Sequence, residues 1–291
     1  MSKKHPIVAI TGSSGAGTST VKTAFEHLFW RLKIKAAVIE GDSYHCYDRK
    51  EMARVVSEGD GDRRALSHFG PRANLFGKLE ETFKTYSETG NGQVRKYLHN
   101  EEEAEPYKQE PGTFTQWESM PDNTDLLFYE GLHGGVIDKE AGVNVAKWVD
   151  LLIGVVPIVN LEWIQKIHRD TADRGYSAEA VTHTILRRMR DYVSYITPQF
   201  SQSHINFQRI PTVDTSNPFI ARDIPTPDES FVIVRFRDHK AVDFPYLLNM
   251  LHDSFMSRPN SIVIPGGKMS FAMELILGPI LENMIKQKKN A

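Results

Sequence analysis

The chain has 291 residues, 40% of them hydrophobic and 25% charged, with a net charge of −2. This is ordinary globular composition, long enough to bury a sizeable core, and the near-neutral balance gives no electrostatic case for nucleic acid or an anionic membrane as partner. A single cysteine, Cys46, excludes an internal disulfide and a cysteine-cluster metal site; no apolar run approaches the roughly 18 residues of a membrane helix, and the one behind the N-terminal lysines is too short for a signal peptide, so a cytoplasmic protein is expected.

The first element is "PIVAIT" (6–11), a β-branched apolar run that reads as a buried strand. It ends in Gly12-Ser13-Ser14-Gly15-Ala16-Gly17-Thr18-Ser19, after which Val21, Phe25, Leu28, Phe29 and Leu32 recur at helical spacing. Strand, glycine loop and helix are the context of a phosphate loop, G-x-x-x-x-G-K-[ST], but Thr18 stands where lysine is expected. Backbone N–H groups at such a turn bind phosphate without any side chain, and Ser19 retains the hydroxyl that ligates Mg²⁺ in ATP sites. The bland alternative is a glycine-rich turn with no ligand.

"KAAVIEGDSY" (35–44) reads as a short buried strand ending in polar residues. Its Asp42 lies where α/β proteins bind ligands, at a strand's C-terminal edge, with His45, Arg49 and Arg54 following. A carboxylate there can take the proton of an acceptor hydroxyl in phosphoryl transfer, or simply cap the next helix. From about 90 to 123 the chain turns polar, rich in Gly and Pro, with an acidic run. This reads as an excursion with short strands or a loop over the site, against the alternative of a mobile acidic surface loop.

"DLLFYEG" (125–131) and "DLLIGVVP" (150–157) are two more buried strands. Glu130 closes the first, where phosphate-loop enzymes place the acid that reaches Mg²⁺; alone it reads equally well as a solvated strand end. In "WIQKIHRDTADRGYS" (163–177), Lys166, Arg169 and Asp170 fall on one helical face, and Arg174 precedes a Gly175 boundary. Nucleotide kinases carry lid cations in such a segment, although charge patterning by itself favours a solvated, internally ion-paired helix. "FVIVRFRD" (231–238) and "SIVIPGG" (261–267) add late strands, and 269–289 is a closing apolar-periodic helix despite Pro279. Apolar strands alternating with helices predict an α/β fold, a mostly parallel sheet covered on both faces. One domain over 1–291 is expected, with the excursion at about 90–123 and the lid segment at about 160–178.

These parts supply a phosphate cradle, a Mg²⁺ acid, a base and cations. Several longer stretches then carry a resemblance: "EGDSYHCYDR", "HFGPRANLF", "LLFYEGLHGG", "VVPIVNLEWIQKIHRDTADRGY", "PQFSQSHINFQRIP" and "VDTSNPFIARDIPT" resemble the bacterial, proteobacterial-type class of phosphoribulokinases, a phosphate-loop kinase family whose own loop reads GSSGAGTST. The resemblance implies a mixed sheet like that of the nucleotide monophosphate kinases and ATP- and Mg²⁺-dependent phosphorylation of ribulose 5-phosphate at its 1-hydroxyl, for carbon dioxide fixation. It implies Asp42 as general base and Glu130 and Asp170 as acids associated with Mg²⁺ or transition-state organisation. Lys166 matches the catalytic lysine, and His45, Arg49, Arg169 and Arg174 match groups around the sugar phosphate or the transferring phosphoryl. It further implies a homo-octamer activated by NADH and inhibited by AMP, with Arg31, Arg235 and Arg258 at effector positions that equally read as surface arginines. The rivals are another sugar or nucleoside kinase, such as a uridine kinase, which normally keeps the loop lysine, and a catalytically silent nucleotide sensor, which has no need of Asp42, Glu130, Lys166 and Arg169 together.

Overall fold

The computed structural model describes residues 4–12, 18–58, 66–156, 158–172, 175–221 and 223–290, the side chains of 18–20 excepted. β1 (Ile7–Gly12) is buried at every position and leads to α1 (Thr18–Leu32). β2 (Ala36–Glu40) is shorter than the apolar run that predicts it: at Gly41 the chain turns into a 3₁₀ helix, Gly41–Tyr44. Helices α2 (Arg49–Glu58) and α3 (Phe76–Thr89) follow, and α3 is closed by Gly90 in the left-handed region, φ 74°.

The excursion is ordered rather than a loose acidic loop. It carries β3 (Gln93–Val94), α4 (Glu101–Ala104) and β4 (Glu118–Ser119), and β3 pairs with β4. Leu98, Ala104 and Met120 are buried within it, so it has an apolar side that holds it to the body. β5 (Leu126–Gly131) comes next, then the small ladder of β6 (Ile137–Asp138) and β7 (Val143–Asn144), then β8 (Leu151–Val156). α5 (Val159–Ala172), α6 (Ala178–Asp191) and α7 (Gln199–Gln202) precede β9 (Ile205–Pro211) and β10 (Ser230–Phe236). The chain ends with α8 (Phe244–Met250), β11 (Phe255–Arg258), β12 (Ser261–Pro265) and α9 (Met269–Lys289).

Eight strands form one mixed sheet in the order β11-β12-β10-β9-β8-β1-β5-β2. The five strands from β2 to β9 run parallel, and β10, β12 and β11 pair antiparallel. β9 returns to β10 through a connection with no helix among the described residues, and the two strands pair antiparallel. The sheet is covered on both faces, as expected of parallel strands. Val8 and Ile10 of β1 join a core with Phe25 and Leu28 of α1 and Met273 and Leu277 of α9. Ile7 and Ala9 point the opposite way, into a second core with Leu79, Phe83 and Tyr86 of α3. Each fully buried side chain of this kind contributes about 1.5–3 kcal/mol. Their common result is a rigid edge at the C-terminal ends of β1, β2, β5 and β8.

Candidate active site

That edge gathers most of the residues expected from the sequence. Gly12 ends β1, Asp42 lies just past β2, Glu130 lies near the end of β5, and Lys166, Arg169 and Asp170 sit on the helix after β8. Loop residues Ser13, Ser14, Gly15, Ala16 and Gly17 lie outside the described residues, as does Arg174; Thr18 and Ser19 open α1.

Asp42 is not the cap of the next helix, because Asp48 Oδ1 accepts the N–H of Glu51 in that role. Its carboxylate, 41% exposed, instead faces rings: Oδ1 is 3.2 Å from His45 Nε2 and Oδ2 is 3.9 Å from His99 Nε2. Enclosure raises the Asp42 carboxyl, but interaction with His45, and then with His99, outweighs it and holds it well below the usual carboxylate range. His45 is buried, bonded through Nδ1 to Asn74 Oδ1 at 2.7 Å, with its ring centroid 4.3 Å from that of His68. Burial, followed by the fields of His45 and Arg188, pushes His68 down to about 3, so it is neutral at physiological pH.

The excursion forms the other wall. Arg95 donates through Nε to Ser43 O and through an Nη to His45 O, each at 2.7 Å. Its guanidinium lies 3.8 Å from the Phe114 centroid and 4.8 Å from that of Trp117, a cation–π clamp that keeps it aimed at the turn carrying Asp42. Arg49 donates to His99 O at 2.8 Å and lies against Gly112, where a Cβ would stand 2.6 Å from Arg49 Cβ. Gly112 has φ 88°, so close approach and the left-handed backbone both require glycine there. Arg54, by contrast, is tied on the surface of α2 to Glu51 and Glu58, away from this wall.

On α5 the ion pairs are enclosed rather than solvated. Asp170 has a side chain only 6% exposed and takes Lys166 at 2.5 Å and Arg169 at 3.1 Å. Burial lowers the Lys166 ammonium below its ordinary value, against the opposing pull of the Asp170 hydrogen bond. The cationic group connects to the Asp42 side: Arg188 of α6 acts electrostatically on both Lys166 and His68, and Ser67 Oγ donates to Asp191 at 2.6 Å. A second tie is Gln199, 2% exposed, whose Oε1 accepts from Thr11 Oγ1 and Gly135 N-H, each at 2.9 Å, while Nε2 donates to Leu132 O. It joins the strand before the phosphate loop to the chain after Glu130.

Sequence reasoning passed over Asn74, His68, Arg95, His99, Arg188 and Gln199. None stands in a local pattern; Asn74, His68 and Gln199 occur only inside stretches that carried the resemblance. For a metal, Glu130 is paired in register with Ile10 of β1 and Glu40 of β2, and Glu40 is bonded to Lys22 at 2.6 Å. No group of three His, Cys, Asp or Glu able to hold a metal occurs among the described residues. Arg235 and Arg258 are register partners of Ser261 from either side, and Arg31 is ion-paired to Glu274 of α9.

The family model described as "Phosphoribulokinase / Uridine kinase family" matches residues 7–216. The chain is 61% identical to the chromosomal phosphoribulokinase of Cupriavidus necator, over 100% of this chain and 99% of that one. It is 56% identical to the probable phosphoribulokinase of Escherichia coli K12, over 99% of both. Among solved structures it superposes on the phosphoribulokinase from Rhodobacter spheroides with a TM-score of 0.88 and 53% identity, covering 99% of this chain and 100% of that one.

Proposed function

The chain belongs to the phosphoribulokinase/uridine kinase family, and from that membership we propose that it phosphorylates the 1-hydroxyl of D-ribulose 5-phosphate with ATP, giving ribulose 1,5-bisphosphate, the substrate of carbon dioxide fixation, and ADP. It is a phosphotransferase acting on an alcohol. The observation that carries the reading is the carboxylate of Asp42 at the sheet edge, opposite a buried cation cluster reached through Arg188, in a chain alike over its whole length to phosphoribulokinases.

Bound Mg·ATP supplies the electrophilic phosphoryl group and part of its charge neutralisation; the backbone from Gly12 to Ser19, with Ser19 and Glu130 for the metal, would hold it. The protein's own share is positioning and electrostatics. Asp42 takes the hydroxyl proton as the new O–P bond forms, with the bond to the leaving ADP oxygen breaking. A carboxylate well below the usual range is a weak base, which suits a reaction whose loose transition state develops little charge on the attacking oxygen before the proton leaves. His45 and Arg49, with Arg174, bind the sugar phosphate. Lys166 and Arg169 provide the cation that Thr18 does not, held in place by Asp170. The excursion belongs to the same kinase domain, 1–291, as the sheet it covers.

Two finer readings rest on the class resemblance: a homo-octamer in the cytoplasm, and NADH activation through Arg31, Arg235 and Arg258. Light scattering of the purified protein tests the first. Activity curves at subsaturating ATP test the second; curves superimposable with and without NADH would remove it. For the reaction itself, ATP turnover is measured with ribulose 5-phosphate, with uridine and with no acceptor. Turnover should require the pentose phosphate; turnover with uridine alone, or none with either, would favour the nucleoside kinase or the silent sensor.

A further inference from the structure

We infer that Asn74 is a positioning residue for the Asp42–His45 pair: it fixes a proton on His45 Nδ1, turns Nε2–H onto Asp42 Oδ1, and so leaves Asp42 Oδ2 to the acceptor hydroxyl. The inference rests on the reading of Asp42 as base. Asn74 is only 5% exposed, and its amide nitrogen donates to His68 O at 2.9 Å and Gly70 O at 2.7 Å. Carbonyl oxygens only accept, so the nitrogen lies on that side and Oδ1 must be the atom 2.7 Å from His45 Nδ1. Facing an acceptor, Nδ1 carries a proton.

The other ring nitrogen is then decided as well. Nε2 stands 3.2 Å from Asp42 Oδ1, and an unprotonated Nε2 would set a lone pair against a carboxylate. Both ring nitrogens of His45 therefore face acceptors, Nδ1 the Asn74 Oδ1 and Nε2 the Asp42 Oδ1. The backbone locks the arrangement: Cys46 N–H donates to Ala73 O at 2.9 Å and Leu75 N–H to Tyr44 O at 2.8 Å, on either side of the His45–Asn74 bridge. One Asp42 oxygen is thus committed to the His45 ring, and the other, 3.9 Å from His99 Nε2, takes the proton in the reaction. The charged and titratable groups facing this pair are His68, its ring tilted at 4.3 Å, Tyr97 at 6.4 Å, Tyr129, His99, His133, and Arg95 on the Ser43 and His45 carbonyls, with Arg188 behind His68.

Two variants separate the acceptor from the brace. Asn74→Asp keeps an oxygen towards Nδ1 and loses both N–H donors, whereas Asn74→Ala loses all three bonds. In Asn74→Ala, Nδ1 loses its acceptor and the His45 ring is free to turn away from Asp42. Then kcat should fall ten- to a hundredfold with KM for ATP within twofold, and the acid limb of the kcat/KM profile should move to higher pH by half a unit or more. In Asn74→Asp the acid limb should stay at or below the wild-type position. An unmoved limb in Asn74→Ala, or equal upward movement in both variants, would show that Asn74 only braces the 68–74 segment and would overturn the inference. Nitrogen-15 NMR of histidine-labelled wild-type protein provides a readout independent of catalysis: His45 Nδ1 should carry a proton, and a bare Nδ1 overturns the proposal whether or not either variant folds. Failure of the base reading appears separately, as an unimpaired Asp42→Asn enzyme with the NMR result intact.

Discussion

Replacing Lys166 by methionine tests where the missing loop charge has gone. Lys166 is enclosed, with a side chain 17% exposed, and shares the buried Asp170 with Arg169. A unit charge about 4 Å from the transferring group contributes roughly 4 kcal/mol at an effective dielectric of about 20, and Asp170 offsets part of it. A net loss of about 2.7 kcal/mol or more corresponds to a kcat reduced at least a hundredfold. Stability should suffer less than when a buried carboxylate loses its only partner, which costs about 3–5 kcal/mol. Asp170 keeps Arg169, so about 1–3 kcal/mol is expected, the scale of one charge-assisted hydrogen bond. Steady-state kinetics with ribulose 5-phosphate give kcat, urea unfolding gives the stability, and ATP titration should show binding changed by less than threefold. The decisive result is the double variant: Thr18→Lys should not restore activity to the Lys166→Met enzyme. If it does, the cation is still needed at the loop and its relocation to α5 is wrong.

Asp42→Asn preserves shape and removes basicity, so kcat should drop roughly 10²–10⁴-fold; a kcat within threefold of wild type removes the assignment. Arg49→Lys should raise KM for the pentose phosphate and leave that for ATP nearly unchanged, because lysine cannot present two parallel N–H groups to a phosphate; the opposite pattern would mean that the two ligands are assigned the wrong way round. Gly112→Ala adds a Cβ against Arg49 at φ 88°, and should cost about 1–3 kcal/mol by urea unfolding and raise the same sugar-phosphate KM; wild-type behaviour would mean that the excursion is not seated on Arg49 in solution. His133, 3% exposed, is pushed down by burial to about 3 from an unfolded value of 6.5, so the unfolded chain takes up the proton first: its stabilisation is complete above pH 6.5 and is lost as pH falls towards 3. Unfolding free energies measured between pH 6 and 4 should therefore fall less steeply in His133→Gln, by about 1.4 kcal/mol per pH unit, and an unchanged slope would refute a buried neutral His133.

The parallel half of the sheet was legible because buried parallel strands are short continuous apolar runs, and the glycine loop, Asp42 and Glu130 follow from where such strands end. β9 carried no such run: "INFQRIP" alternates buried Ile205 and Phe207 with polar neighbours and lies beside an antiparallel partner, so it was read only as part of a family stretch. The enclosure of Asp170 was equally hidden. Its i, i+4 spacing to Lys166 describes a solvated helix as well as a buried one; the packing of α5 against α6 around Ile167, Val181 and Ile185 has no signature in that spacing.

What local pattern could not supply is the shell around Asp42. Arg95 is one basic residue in a polar segment, and its role depends on Phe114 and Trp117, about twenty residues on, folding back to sandwich it. Asn74 acts through a contact spanning 29 residues and His99 through one spanning 57, neither with any period to betray it. The polar excursion was ambiguous for a physical reason: its apolar side consists of scattered single residues, Leu98, Ala104 and Met120, rather than a periodic stripe. Arg95 ties the excursion to the turn carrying Asp42, and Arg49 of α2 ties it through the His99 carbonyl. The excursion and the turn carrying Asp42 are therefore joined, and on the proposed reaction a change in either should be felt in the kinetics of the pentose phosphate before it is felt in those of ATP.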